Sequence, residues 1–151
     1  MPLTLVLPDN YGWVGLAAAS TVWLVTYQTV NVSAARKAAG VKYPQLYAEK
    51  AEVEKSHEAM KFNCAQRAHA NTLETLPLML AGTLFAGLYY PIPAAASCAI
   101  WVFGRIMYTI NYSTGIPSKR NKNGGELTAV GLLGIALLFT WTPIAMILAT
   151  F

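Results

Sequence analysis

The sequence predicts an all-α integral membrane protein: one domain, a bundle of four transmembrane helices in up-down topology. Three observations predict it. Of the 151 residues, 55% are hydrophobic and only 12% are charged, whereas a soluble domain carries about 25% charged residues. Four apolar segments, at about 11–35, 68–90, 94–114 and 127–149, each reach the roughly 20 residues that a helix needs to cross hydrocarbon. The basic residues are also sorted by side. Nine of the 11 lie in or beside two connections, six from Arg36 to Lys61 and three from Lys119 to Lys122. The N-terminal tail, the turn at Pro91 to Pro93 and the C-terminal end carry none. Positively charged loops stay cytosolic, so loops 36–61 and 115–126 are expected to face the cytosol, with both termini across the membrane.

Taken in order, the N-terminal run reaches Pro8 without a basic region. It is therefore expected not to be a cleavable signal peptide, and the first span should stay in the mature chain. That span turns polar toward its end, at Thr26, Gln28, Thr29, Asn31 and Ser33, which suits a helix–helix seam or a wet cavity better than lipid. Arg36-Lys37 is expected to end it. Val41-Lys-Tyr-Pro44 breaks any helix, and the charged mixture over 45–61 reads as one solvated helical face. Pro77 is expected to kink the second span, a feature membranes tolerate when neighbours satisfy the freed carbonyl. Tyr89-Tyr90-Pro91-Ile-Pro93 is a short turn that makes spans two and three an antiparallel hairpin. Gly115-Ile-Pro117 ends the third span, and the fourth, almost wholly apolar, should face lipid. Cys64 and Cys98 are too few for a disulfide framework and read as small buried thiols.

The residues that carry chemistry are those hydrocarbon rejects. Arg67, Asn71 and Glu74 (i, i+4, i+7) share one helix face, while His69 points elsewhere. On the third span Arg105, Tyr108 and Tyr112 (i, i+3, i+7) share another. Each buried charge costs about 2.5–3.5 kcal/mol at mid-bilayer on the insertion scale, so each needs a partner or a function. A structural pair between Arg105 and Glu74, on adjacent spans, is one account, and an interfacial aromatic belt is one account of the tyrosines. Neither explains Arg67 and Asn71. The stated orientation puts Arg67, Asn71, Tyr112 and Arg120 together at the cytosolic end. Arginines suit carboxylates and Glu74 suits an ammonium group, so the pocket fits a small zwitterion with several carboxylates, with a lipophilic second ligand arriving from the bilayer. No metal site is expected, because no second histidine stands near His69 at ligand spacing. No phosphate loop is visible, and the basic loop is too short and too close to the membrane to argue for nucleic acid.

Arg67-Ala-His-Ala-Asn71-Thr-Leu-Glu74-Thr-Leu-Pro77 resembles the signature of the membrane-associated proteins in eicosanoid and glutathione metabolism, the MAPEG family. Asn31-Val-Ser-Ala-Ala-Arg36-Lys37, Val41-Lys-Tyr-Pro44, Phe62-Asn-Cys-Ala-Gln-Arg67 and Gly115-Ile-Pro-Ser-Lys-Arg120 look most like its type-3 microsomal glutathione transferase branch. The resemblance covers nearly the whole chain. It implies a homotrimer in an intracellular membrane such as the endoplasmic reticulum, with glutathione as co-substrate at each subunit interface. It implies that Arg36, Arg67, Asn71 and Glu74 hold the tripeptide, that Tyr108 and Tyr112 line the site, and that His69 lies beside it. It also implies a basic residue near the glutathione sulfur, for which Arg120 is chosen and Lys119 is the alternate. Many relatives carry an aromatic residue where this chain has Leu76. The activity implied is a glutathione transferase and peroxidase acting on lipophilic electrophiles or lipid hydroperoxides, with leukotriene C synthase-type conjugation among the reactions left open. A non-enzymatic lipid-binding scaffold of the five-lipoxygenase-activating-protein type is the alternative, and a small channel or transporter subunit a third reading.

Overall fold

Helices form wherever the chain carries a long apolar stretch, and their ends fall where capping chemistry puts them. The computed structural model describes residues 6–150. Residues 1–5, the start of the run read as no signal peptide, and residue 151 lie outside the described residues. The helices are α1 (Tyr11–Ala39), α2 (Lys50–Lys55), α3 (His57–Ala86), α4 (Pro91–Tyr112) and α5 (Leu127–Leu148), with one 3-10 turn at Pro117–Lys119.

Two boundaries differ from the sequence reading. Arg36-Lys37 does not end α1, which runs on to Ala39 and stops at Gly40 (φ 67°). There the Gly40 N–H bonds the Lys37 carbonyl and the Val41 N–H bonds the Arg36 carbonyl. Gly40 is the first residue that adopts the left-handed conformation cheaply, and that closes the last turn. The charged stretch over 45–61 is likewise not one helix. Glu49 and Glu52 form a capping box that starts α2. Ser56 then takes an extended conformation and caps α3 through its hydroxyl, as N-cap serines do. α3 therefore begins at His57, about three turns before the second apolar segment. Its helical backbone continues through Pro77, which sits on the exposed side.

The turn between α3 and α4 is short, as expected, and Pro91 opens α4 at a position whose N–H needs no helical partner. Trp141 donates from its indole to the Tyr90 hydroxyl at 3.1 Å, fastening this turn to α5. Val14, Leu24, Met79, Trp101 and Ile135 form the main apolar core. Val32, Val41, Phe62 and Ala65 form a second cluster under loop 40–49. At the centre, Gln28 of α1 donates to Thr72 of α3 and Thr109 of α4, both at 2.8 Å, so one amide clasps three helices. Asn31 adds a bond to Ser113 at 2.9 Å. Of the polar run in α1, these two serve the seam. Thr26, Thr29 and Ser33 instead face outward and bond carbonyls one turn back.

α4 and α5 are long and apolar enough to cross a membrane, with mean hydropathy of 1.2 and 2.0. α1 and α3 are longer, at 29 and 30 residues, but the polar residues they carry, both at the seam and on exposed faces, dilute their hydropathy. α4 and α5 approach closely because glycines face the contact. Gly104 lies against the backbone of Leu127 and Thr128. A methyl on Gly131 would sit 2.5 Å from the Trp101 nitrogen and 2.6 Å from the Ser97 carbonyl oxygen. Small residues at such crossings let backbones touch. Gly131→Val is expected to destabilise the bundle by about 1–3 kcal/mol through overpacking, read as a lowered unfolding midpoint in detergent. Gly12→Ala, where nothing lies within 4 Å, is the control expected to leave the midpoint unchanged or slightly raised.

Candidate functional site

One face of α3 and one face of α4 meet near the end of the bundle that carries the two longer loops, and their polar side chains form a continuous network. Arg67 and Glu74 pair at 2.6 Å, with both side chains about half exposed, at 46% and 51%. Asn71, between them on the helix, donates its amide to Glu74 at 3.0 Å. Its carbonyl oxygen accepts from Arg105 at 2.7 Å. Arg105 also reaches the Asn71 backbone carbonyl and the Thr75 hydroxyl, both at 3.2 Å.

The Arg105–Glu74 pair weighed from sequence is not formed. α4 meets α3 along the buried side that presents Asn71 and Thr75, whereas Glu74 lies on the exposed edge within reach of Arg67 seven residues back. Arg105 is 3% exposed and lies against the rings of Trp101 and Tyr108, at 5.6 and 5.2 Å. Aromatic faces offset part of a cation's desolvation. Its Nε has no partner among the described residues.

Beside Arg105 a cavity of about 390 Å³ opens between α3, α4, α5 and the loop after α4. Asn71, Arg105, Tyr108, Arg120, Glu126 and Thr128 line it. Tyr112 stacks edge-on against Tyr108, with ring centres 5.5 Å apart. Tyr108 shares the cavity wall with Arg105 and Arg120. Arg120 is exposed and donates to the Pro117 carbonyl at 2.8 Å. Its loop is held by Asn111, which donates to the Lys122 carbonyl, and by Gly125, whose Cα packs against the Arg120 carbonyl too closely for a side chain. Arg67, Asn71, Glu74, Tyr108, Tyr112 and Arg120 thus fall in one neighbourhood.

Three candidates stand apart. Arg36 is buried at the end of α1. It donates to the Gln45 carbonyl at 2.6 Å and is sandwiched between the rings of Tyr43 and Phe62, at 4.4 and 4.5 Å. In the single chain it pins loop 40–49. His69 points away from the stripe, as its spacing requires, and its Nε2 is buried without a partner among the described residues. Lys119 is exposed in the 3-10 turn. Cys64 is buried beneath the loops, and burial pushes its thiol up to about 11, which suits a packed thiol and no nucleophile.

The sequence reading missed the part that Arg105, Thr128 and Glu126 play in lining the cavity. Arg105 had a signal: it shares a face with Tyr108 and Tyr112. Thr128 and Glu126 had none, because only the folded chain brings the start of α5 beside Asn71.

The model of the MAPEG family matches residues 14–142 of the chain. That match spans most of the chain, all of α3 and α4 and the greater part of α1 and α5, so the chain belongs to the MAPEG family. The family includes glutathione transferases and also non-enzymatic activating proteins.

Two outcomes follow from the side chains that stand apart. Arg36→Ala removes a charged hydrogen bond worth about 1.5–3 kcal/mol, and is expected to open loop 40–49 roughly tenfold or more, read as faster tryptic cleavage after Lys42. Cys64 is expected to alkylate only slowly near pH 8, where about one thiol in a thousand is ionised. Mass spectrometry should show the rate rising with pH toward 11.

Proposed function

We propose that this MAPEG-family chain is a membrane-bound glutathione transferase with glutathione peroxidase activity, acting on lipophilic electrophiles or lipid hydroperoxides. The observation that carries the reading is the cavity beside Arg105, Tyr108 and Arg120, whose wall residue Asn71 bonds the half-exposed Arg67–Glu74 pair. Arg67, Arg105 and Arg120 stand in this neighbourhood with Glu74 and Glu126, which leaves a net positive charge for an anionic guest. Glutathione at neutral pH carries two carboxylates and one ammonium group. Arg67 offers its fork to a carboxylate, Glu74 accepts from the ammonium, and Asn71 and the two phenols supply neutral hydrogen bonds. Arg36, Arg67, His69, Asn71, Glu74, Tyr108 and Tyr112 are the proposed glutathione-binding residues. Arg36 and His69 rest on the family resemblance alone.

Arg120 is the proposed catalytic group, with Lys119 the alternate one residue away. A thiol near pKa 8.5 is mostly protonated at neutral pH, and an adjacent guanidinium favours the thiolate without giving up a proton. The thiol proton passes to water. In the transferase reaction the thiolate attacks an electrophilic carbon, and a C–S bond forms as an epoxide C–O bond, a bond to a leaving group or a conjugated π bond breaks; the resulting anion leaves or takes a proton from water. In the peroxidase reaction the thiolate takes one oxygen of the hydroperoxide as the O–O bond breaks, leaving an alcohol. A second glutathione then converts the sulfenic acid to a disulfide and water. Holding both reactants together supplies the entropic part of the acceleration. Apolar grooves between α1 and α4, lined by Trp13, Leu16, Ile92, Trp23 and Ile106, suit acyl chains.

The assembly proposed is a homotrimer of four-span subunits in an intracellular membrane such as the endoplasmic reticulum, with loop 40–49 and the loop after α4 in the cytosol. The sorting of basic residues supports that orientation, and the resemblance to the type-3 branch supports the activity. A scaffold of the activating-protein type has no use for a thiolate, which gives the test. Glutathione added to the solubilised protein is expected to develop thiolate absorbance, lost in Arg120→Ala or, if the alternate holds, in Lys119→Ala. Folded wild type that develops no such absorbance would sink the enzymatic reading. Arg67→Ala is expected to weaken glutathione retention about tenfold or more with the oligomer intact by size-exclusion chromatography; collapse of the oligomer would make Arg67 structural instead.

A further inference from the structure

We infer that Arg105 is a positioning residue that sets the orientation of the Asn71 amide, and through it the Glu74 and Arg67 groups that meet the ligand. The inference rests on the glutathione reading for what the positioned groups bind, but the coupling itself stands on the geometry. Arginine has five donors and no acceptor. Because Arg105 lies 2.7 Å from one end of the Asn71 amide, that end must be the carbonyl oxygen. The NH2 end is thereby turned to Glu74, 3.0 Å away. Glu74 then receives Asn71 on one oxygen at 3.0 Å, while Arg67 donates to the other at 2.6 Å and more distantly, at 3.5 Å, to the oxygen that Asn71 bonds. A single chain of contacts runs from a buried cation in α4 to an exposed ion pair on α3.

The burial explains why this is more than a packing contact. Arg105 has no carboxylate partner among the described residues, and only neutral groups bond its guanidinium. A charge kept in a nearly dry site without a counter-ion is costly, and an acid there would have been the cheap remedy. The uncompensated cation instead does two things a pair with Glu74 could not. It leaves Glu74 to the half-exposed pair with Arg67, and it keeps positive charge beside Tyr108 on the cavity wall. Thr75 and the Asn71 backbone carbonyl hold the guanidinium from the other side, so its plane cannot rotate away from the amide.

The test reads coupling in two ways. In ligand-free protein, the two Asn71 side-chain amide protons are expected to give a sharp, shifted pair of NMR signals on one nitrogen in wild type. That pair should broaden or move to the ordinary range in Arg105→Met, with Asn71→Asp supplying the assignment by loss of the pair. In the second arm, glutathione affinity is measured for wild type, Arg105→Met, Arg105→Lys, Asn71→Ala and the double variant Arg105→Met with Asn71→Ala. Arg105→Met is expected to weaken glutathione about tenfold or more. The double variant should bind no worse than Asn71→Ala alone, because the two residues act in series. Arg105→Lys, which keeps a donor-only head toward Asn71, should recover most of the affinity and covers the case in which the methionine variant does not fold. Additive losses, or an Asn71 signal unmoved by loss of Arg105, overturn the inference. If wild type binds no glutathione, the functional reading fails and the NMR arm decides the coupling by itself.

Discussion

Arg105 is the constraint on which the rest of the bundle depends. A guanidinium on a helix that is otherwise apolar enough to cross a membrane must be supplied with acceptors by protein, because hydrocarbon supplies none. α3 supplies them at Asn71 and Thr75, and α4 itself supplies the aromatic faces of Trp101 and Tyr108. Those demands fix the register of α3 against α4. A one-turn slip would leave a buried charge with no partner, a fault of about 3–5 kcal/mol against a margin of about 5–15 kcal/mol by which most domains are stable.

The Gln28 clasp sets the third helix into the same register. Its amide bonds Thr72, one residue beyond Asn71, and Thr109, one turn beyond Arg105, whose own backbone carbonyl accepts from Thr109. The two polar sets are neighbours along both helices, so α1 cannot shift without disturbing the level at which Asn71 is held. Around this polar centre the packing is apolar and close. The glycine contacts at Gly104 and Gly131 bring α5 near enough for Thr128 and Leu132 to wall the cavity. Specificity of register and shape of the site are therefore one property of the fold, with hydrogen bonds choosing the alignment and small residues setting the distance.

Charge that lipid would reject is held in two kinds of surroundings within the chain. Arg36 spends its charge on the structure of loop 40–49, between two aromatic rings and a carbonyl. Arg67, Glu74 and Arg120 keep theirs at or near the surface, where a guest can replace the contacts they make within the chain. An arginine held between two rings and bonded to a carbonyl must release those contacts before it can serve a guest. One in a half-exposed ion pair can exchange partners at small cost.

The sequence by itself determined the helical class, the long apolar stretches, the hairpin at Tyr89 to Pro93 and the sharing of one face by Arg67, Asn71 and Glu74. It could do so because hydropathy and the 3.6-residue period are local properties. It also carried the MAPEG signature, which the family match over 14–142 bears out. It misplaced the end of α1 and joined α2 to α3, since caps at Gly40 and Ser56 depend on backbone geometry rather than hydropathy. Only the tertiary structure decided the partners. Arg67, not Arg105, takes Glu74, Arg36 turns inward, and α5 closes the cavity with Thr128. Which of several reachable acceptors a long cationic side chain meets depends on the rotation and depth of each helix against its neighbours, and no spacing along one chain encodes that.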